Sequence, residues 1–160
     1  MKLQGFTDAD WVGSPSDRKS TSGGIFNLGS VVVSWYNRKQ RSIALSSTEA
    51  EYMAAILATC EAIWMQKILV GLFDQRMDPT VIYCIKLSEN PIFHDSSKHI
   101  DIHYQHLRDC VARRIMLLQY ISTEEQDADI LTKALSKRKF EFHRDRIGVA
   151  ENPFLVEREC

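Results

Sequence analysis

Three acids occupy places from which they could act together. Asp8 lies midway along an alternating apolar–polar run. Glu51 falls in the first turns of a long helical stretch. Asp129 opens a late helical segment, Gln126-Asp127-Ala128-Asp129-Ile130-Leu131-Thr132-Lys133. Acids so placed can converge at the ends of central strands. Convergent carboxylates repel one another unless a cation joins them. Mg²⁺ suits such a set, because it takes hard oxygen ligands and keeps waters that a substrate can replace. Two such ions about 3.5–4 Å apart can activate a water and stabilise the leaving oxygen of a phosphodiester. Taken singly, each acid reads as a helix cap or a surface charge.

The elements that must position these acids are legible. Leu3 to Trp11 reads as a strand with Phe6, Asp8 and Asp10 on one face and Leu3, Gly5, Thr7, Ala9 and Trp11 on the other. Gly13 to Gly24 is a polar turn region. Gly24 to Leu28 and Val31 to Arg38 form a hairpin about Gly29-Ser30. A long helix follows, from about Ser47 to Leu72. Ser46 is its N-cap, and Glu49 completes a capping box. Met53, Ile56, Leu57, Cys60, Ile63, Trp64 and Ile68 recur at helical spacing, and Ala54, Ala55, Ala58 and Ala62 make the opposite face. A helix apolar on both sides is expected to be buried, with Trp64 in the core. Glu51 lies on the alanine side. Buried there, it needs a cation, a metal or an open cleft; otherwise it is a first-turn acid complementing the helix dipole.

The rest of the chain alternates. Thr80 to Ile85 reads as a central strand and His99 to Arg114 as a helix with Ile102, His106, Leu107, Cys110 and Val111 on one side. Ile115 to Ile121 reads as a strand, Thr123 to Gln126 as a turn, and Asp127 to Leu135 and Lys137 to Ile147 as helices. Three strands in meander followed by alternating helix and strand give an α/β fold, a mixed sheet flanked by helices. One domain over residues 1–149 and a frayed tail over 150–160 are expected.

Composition narrows the function classes. A chain of 160 residues with 44% apolar content can build one real core. It has no run of about eighteen apolar residues, so no membrane span or membrane partner is expected. The N-terminus lacks a signal pattern, and Met1 just ahead of the domain is compatible with a free unit. The four cysteines, Cys60, Cys84, Cys110 and Cys160, form no C-x-x-C pair. An intracellular setting, cytoplasm or nucleus, is expected. Net charge is −1, yet Lys137, Arg138, Lys139, His143, Arg144 and Arg146 form one basic cluster and Arg108, Arg113 and Arg114 another. Such clusters read either as phosphate contacts or as solvated faces.

Several of these motifs occur together in one known family. Gly5-Phe6-Thr7-Asp8-Ala9-Asp10-Trp11-Val12-Gly13, followed by Asp17-Arg18-Lys19-Ser20-Thr21-Ser22-Gly23, resembles the opening of the RNase H domain of copia-type retrotransposon polyproteins. The resemblance continues through Val33-Ser34-Trp35, Ala44-Leu45-Ser46-Ser47-Thr48-Glu49-Ala50-Glu51-Tyr52 and Lys98-His99-Ile100-Asp101-Ile102. It closes with Ala128-Asp129-Ile130-Leu131-Thr132-Lys133 and Lys139-Phe140, near Gly148. The resemblance implies an RNase H-like fold with a mixed five-stranded sheet. It implies cleavage of the RNA strand of RNA–DNA hybrids by a two-ion Mg²⁺ (or Mn²⁺) site with Asp8, Glu51 and Asp129 as catalytic and metal-holding acids. Ser20, Thr21, Ser47, Thr48, Lys98 and His99 are the substrate contacts it suggests.

The chain departs from this family at one acid. Where the strand Ile82-Tyr83-Cys84 should run on into Asp-Asn-Gln-Ser-Ala, Cys84 meets Ile85-Lys86-Leu87-Ser88-Glu89-Asn90-Pro91 directly. The third catalytic Asp is in the missing tract, so the segment after the fourth strand is shortened and the metal site is incomplete. Glu89 is the nearest downstream acid. Weak or absent nuclease activity is expected, with Ile85 to Ser97 the most irregular part of the domain. The alternative is a non-catalytic module that holds nucleic acid, or a host or pathogen protein. Other residues carry two readings each. Ser20, Thr21 and Ser22 bind phosphate or simply form a turn. His99 acts in product release, contacts substrate or is structural. Trp11, Trp35 and Trp64 could stack on bases, although Trp35, like Trp64, is expected to pack internally.

Overall fold

The structure is a computed structural model that describes residues 1–14, 16–85 and 98–149, with backbone only for 98–103. The expectations for Glu89, for an irregular segment from residue 86 to 97, for the side chains of Lys98 and His99, and for the tail at 150–160 lie outside the described residues.

The first three strands are β1 (Leu3–Asp10), β2 (Thr21–Leu28) and β3 (Val31–Lys39). They are followed by helix α1 (Ser47–Phe73), β4 (Thr80–Cys84), α2 (Lys98–Ala112), β5 (Met116–Tyr120), the single turn α3 (Asp129–Thr132) and α4 (Lys137–Arg146). The sheet has five strands in the order β3-β2-β1-β4-β5. β1–β2 and β2–β3 are antiparallel, and β1–β4 and β4–β5 are parallel, so the sheet is mixed as expected. β1 is its central strand. β2 begins at Thr21, earlier than the glycine pattern suggests. Gly23 and Gly24 therefore lie within the sheet, paired with Asp8 and Thr7 of β1 respectively, and are not part of a turn.

The two faces of β1 are covered differently, as its alternation predicts. On one side Leu3 joins a core with Phe26, Tyr36, Ile82, Met116 and the alanines of α1, and Ala9 packs with Ala44, Ala50 and Ala54. α2 closes this side through Leu107 and Cys110, and Tyr52 of α1 meets Tyr104 of α2 with ring centroids 4.6 Å apart. On the other side Phe6 and Ile25 pack with Ala128, Ile130 and Leu131 around α3.

α1 starts as its sequence predicts. The Ser46 hydroxyl accepts from the Glu49 N–H at 3.1 Å, and the Glu49 carboxylate reaches back to the Leu45 N–H at 2.6 Å. Losing such a cap costs about 0.5–2 kcal/mol. The helix is long and apolar enough by length and composition to cross a membrane, the one such helix among the described residues. Here its alanine face lies instead on the sheet.

Which face of α1 is buried differs from expectation. Ala50, Ala54, Ala55, Ala58 and Ala62 are buried, whereas Trp64 is 58% exposed and Cys60 and Ile68 are exposed with it. The sheet side already supplies the bulk, in Leu3, Phe26, Ile82 and Met116, so the helix must contribute small residues to fit a close-packed interior. Trp35 also differs. It is 67% exposed on the edge strand β3, where Tyr36 turns inward toward Phe26 instead.

Candidate active site

Asp8 and Asp129 come together on the α3 side of the sheet. Asp8 is fully buried in β1. One of its carboxylate oxygens accepts from the Thr132 hydroxyl. The other accepts from the Lys133 ammonium at 2.9 Å, and the same ammonium donates to Asp129 Oδ1 at 3.0 Å. One turn of helix separates Asp129 from Lys133, which puts both on the same side of α3. Burial raises the Asp129 pKa above the usual carboxylate range, and the Asp8 charge raises it further while Lys133 opposes the shift. For Lys133 burial works to lower the pKa, but hydrogen bonds and charge from Asp8 and Asp129 prevail and raise it. Asp10 sits two residues along the same face. Burial raises its pKa too, with Lys133 lowering it and Asp8 raising it.

Three contacts fix α3 against the sheet. Gln126, fully buried, donates its amide to the Thr7 carbonyl at 3.0 Å and the Tyr83 carbonyl at 3.4 Å, tying the loop before α3 to β1 and β4 together. Its own carbonyl accepts from the Ala128 N–H at 3.2 Å. The Asn37 side chain of β3 donates to the Leu131 carbonyl. Gly23, paired opposite Asp8, lets α3 approach without a side chain in between. A Cβ at Gly23 would stand 2.7 Å from Thr132 Cγ2, 3.1 Å from Leu131 Cβ and 3.2 Å from the Ala128 carbonyl. The last of these is backbone, so α3 itself would have to move. Gly23→Ala is expected to destabilise the domain by about 1–3 kcal/mol, read as a lower urea midpoint. An unchanged midpoint would show that α3 does not rest on this strand as described.

Glu51 comes from a different element. It is 3% exposed in the first turns of α1, the helix that packs on the Ala9 side of β1. Among the described residues no group of three or more His, Cys, Asp or Glu side chains is gathered at metal-binding separation. The structure joins Asp8 with Asp129 through Lys133. The metal expected from the resemblance can be tested against this pair. Both carboxylates present a hard oxygen within 3.0 Å of one positively charged nitrogen. The space between them therefore already accommodates a cation, and its donors suit Mg²⁺ or Mn²⁺. The pair fits one ion.

The remaining residues named from sequence divide into engaged and open. Ser20 is buried and its hydroxyl accepts from the Val12 N–H at 3.2 Å. The Ser22 hydroxyl accepts from the Gln40 amide at 2.9 Å. Thr21 is half-buried at the start of β2, opposite Asp10. Ser47 is half-buried and Thr48 exposed in the first turn of α1. Lys98 and His99 begin α2. Trp11 is 46% exposed, with its indole N–H on the Ala44 carbonyl at 3.2 Å. In the basic cluster, His143 is buried against Asp127 and Arg146 pairs with the same carboxylate. Lys137, Arg138 and Lys139 remain exposed. Sequence reasoning passed over Lys133, Gln126 and Gly23. The four-residue spacing from Asp129 was the available signal for Lys133, and neither of the others carries one.

Comparison with known proteins agrees with this architecture. No protein-family model matches the chain. It is 38% identical over 157 residues to the retrovirus-related Pol polyprotein from transposon TNT 1-94 of Nicotiana tabacum, covering 94% of this chain and 12% of that protein. It is 38% identical over 158 residues to the corresponding polyprotein from transposon RE1 of Arabidopsis thaliana, covering 96% of this chain and 11% of that one. The chain therefore spans a small part of these relatives. Among solved structures, the N-terminal RNase H domain of a Mycobacterium tuberculosis protein, fused to maltose-binding protein, superposes with a TM-score of 0.57 at 11% identity, over 90% of this chain and 96% of that one. The chain is thus homologous, over most of its length, to the Pol polyproteins of copia-type retrotransposons, and it has the RNase H fold.

Proposed function

We propose that this chain is a retrotransposon-derived RNase H domain that binds RNA–DNA hybrids and cleaves their RNA strand with a divalent metal, weakly. The observation that carries this reading is the joining of Asp8 and Asp129 at the central strand of an RNase H fold. Asp8 and Asp129 would hold Mg²⁺ or Mn²⁺, which when bound activates water and stabilises charge at a phosphodiester. Thr132 orients the Asp8 carboxylate, and Gln126 holds the loop carrying Asp129 against β1 and β4. Glu51 would join Asp8 and Asp129 as a third acid, and the acid missing after Cys84 leaves the two-ion arrangement incomplete, which accords with weak activity. Lys137, Arg138 and Lys139 offer exposed charge to the phosphate backbone. An intracellular setting, in cytoplasm or nucleus, belongs to the same reading.

The test is cleavage of a labelled RNA–DNA hybrid in Mg²⁺ and in Mn²⁺, with Asp8→Asn as the control. Slow cleavage that Asp8→Asn abolishes supports the reading. Cleavage that survives Asp8→Asn would place the chemistry elsewhere. Hybrid binding should also weaken as salt rises, because phosphate contacts release counterions. Affinity that stays flat between about 50 and 200 mM salt would remove phosphate contacts from the account. A second reading, a non-catalytic module that binds nucleic acid or a protein, is favoured by the exposure of Trp35 at 67% and Trp64 at 58%. It takes precedence if no cleavage is seen with either metal.

A further inference from the structure

Lys133 stands where a bound cation would stand. Its ammonium is 2.9 Å from Asp8 Oδ1 and 3.0 Å from Asp129 Oδ1. Asp8 is fully buried and the Asp129 side chain is 9% exposed, so water screens their mutual repulsion poorly. The Lys133 side chain is 34% exposed, which leaves it a route outward. Its aliphatic stem can stay on the protein while the charge moves to solvent.

We propose that Lys133 is an internal counter-cation. It holds Asp8 and Asp129 together in the metal-free domain, and a divalent ion must displace it to bind between them. The exchange rests on the metal-binding reading above; the counter-cation role does not. Removing a buried charge's partner is strongly unfavourable, so the metal-free state should suffer when Lys133 is lost. Metal binding should gain, because the ion no longer competes with a covalently tethered positive charge. Stability without metal and affinity for metal should therefore move in opposite directions in one variant. A lysine that served only packing would lower the first without improving the second.

The experiment compares the full chain with Lys133→Met, which keeps a long apolar side chain without the charge. In EDTA, K133M should unfold at least about 4 °C lower. Titrated with Mn²⁺ alone and followed by its electron paramagnetic resonance signal, K133M should bind about tenfold tighter than the parent, and saturating Mn²⁺ should restore most of the lost Tm. Adding Asp129→Asn to K133M removes one of the two repelling charges and should recover Tm in EDTA. An unchanged Tm in EDTA, or failure of Asp129→Asn to recover it, overturns the counter-cation role. Mn²⁺ binding of equal or lower strength in K133M overturns the exchange while leaving the metal reading intact. Absence of Mn²⁺ binding to both proteins overturns the metal reading, and the exchange with it.

Discussion

Restoring Asp-Asn-Gln-Ser-Ala directly after Cys84 is expected to raise Mg²⁺-dependent cleavage of an RNA–DNA hybrid by at least ~10²-fold, the scale on which catalytic groups misplaced by about 1 Å are penalised. The sheet gives the physical reason. β4 runs parallel to β1 with Phe6 level with Tyr83. Carrying that register two residues on sets Ile85 level with Asp8, on the same face, since side chains alternate along a strand. The restored tract would put a carboxylate in that place. A further hard oxygen beside Asp8 and Asp129 would help hold an ion in a defined position. The measurement is single-turnover cleavage by parent and restored chains, together with their thermal unfolding. Tm should rise as well, since the tract extends β4 and opens the segment that follows. If the restored protein gains neither cleavage nor stability, the missing tract is not the reason for weak activity.

The architecture was readable because it rests on local patterns. Period-two alternation in β1 assigned Phe6 and Asp8 to one face and Ala9 to the other, and these faces do receive α3 and α1 respectively. Ser46 and Glu49 marked the start of α1 because capping depends on neighbours three residues apart. The failures have one cause in common. A pattern states which residues are apolar, but not what they meet. Both faces of α1 are apolar, and the choice between alanines and Trp64 was made by bulk already present on the sheet. Trp35 sits in a strand-like alternation, but β3 is an edge strand, and its outer face stays open.

At the site the same division holds. Asp8 and Asp129 were found because acids at strand and helix positions are conspicuous and the family resemblance named them. Lys133 ends the Ala128-to-Lys133 motif, but sequence alone gives it no role, since its partner Asp8 is 125 positions distant in the chain. Gln126 read as a turn residue for the same reason. Its bonds to β1 and β4 exist only once the loop is folded over the sheet. Of the basic cluster near the C-terminus, His143 and Arg146 proved to be structural, because their shared partner Asp127 is buried. Charge patterning alone cannot separate a cation that faces phosphate from one that faces an internal carboxylate.

Asp127→Ala follows from that last point and is expected to destabilise the domain by about 1.5–3 kcal/mol, as losing a buried charged acceptor does. Asp127 is 3% exposed and His143 1% exposed. The His143 Nδ1–H donates to Asp127 Oδ1 at 2.9 Å, and Arg146 donates to Oδ2 at 3.3 Å. These bonds fasten α4 to the loop that enters α3. Truncation leaves the His143 ring enclosed without its acceptor and removes the only carboxylate that either partner is seen to contact among the described residues. At about 2–4 °C per kcal/mol for a domain of this size, Tm should fall by about 3–12 °C. Arg146→Ala should cost less, about 1 kcal/mol or under, because Asp127 keeps its bond from His143 and Arg146 is the outer, partly exposed partner. The comparison separates the inner bond from the outer one, since Asp127→Ala loses both and Arg146→Ala loses only its own. Thermal unfolding followed by circular dichroism decides it. A Tm for Asp127→Ala within about 2 °C of the parent, or an equal loss in Arg146→Ala, would mean that α4 is not held through this carboxylate. Asp129 follows Asp127 by a single alanine, so a loosened Asp127 should also loosen the loop that presents Asp129 to Asp8.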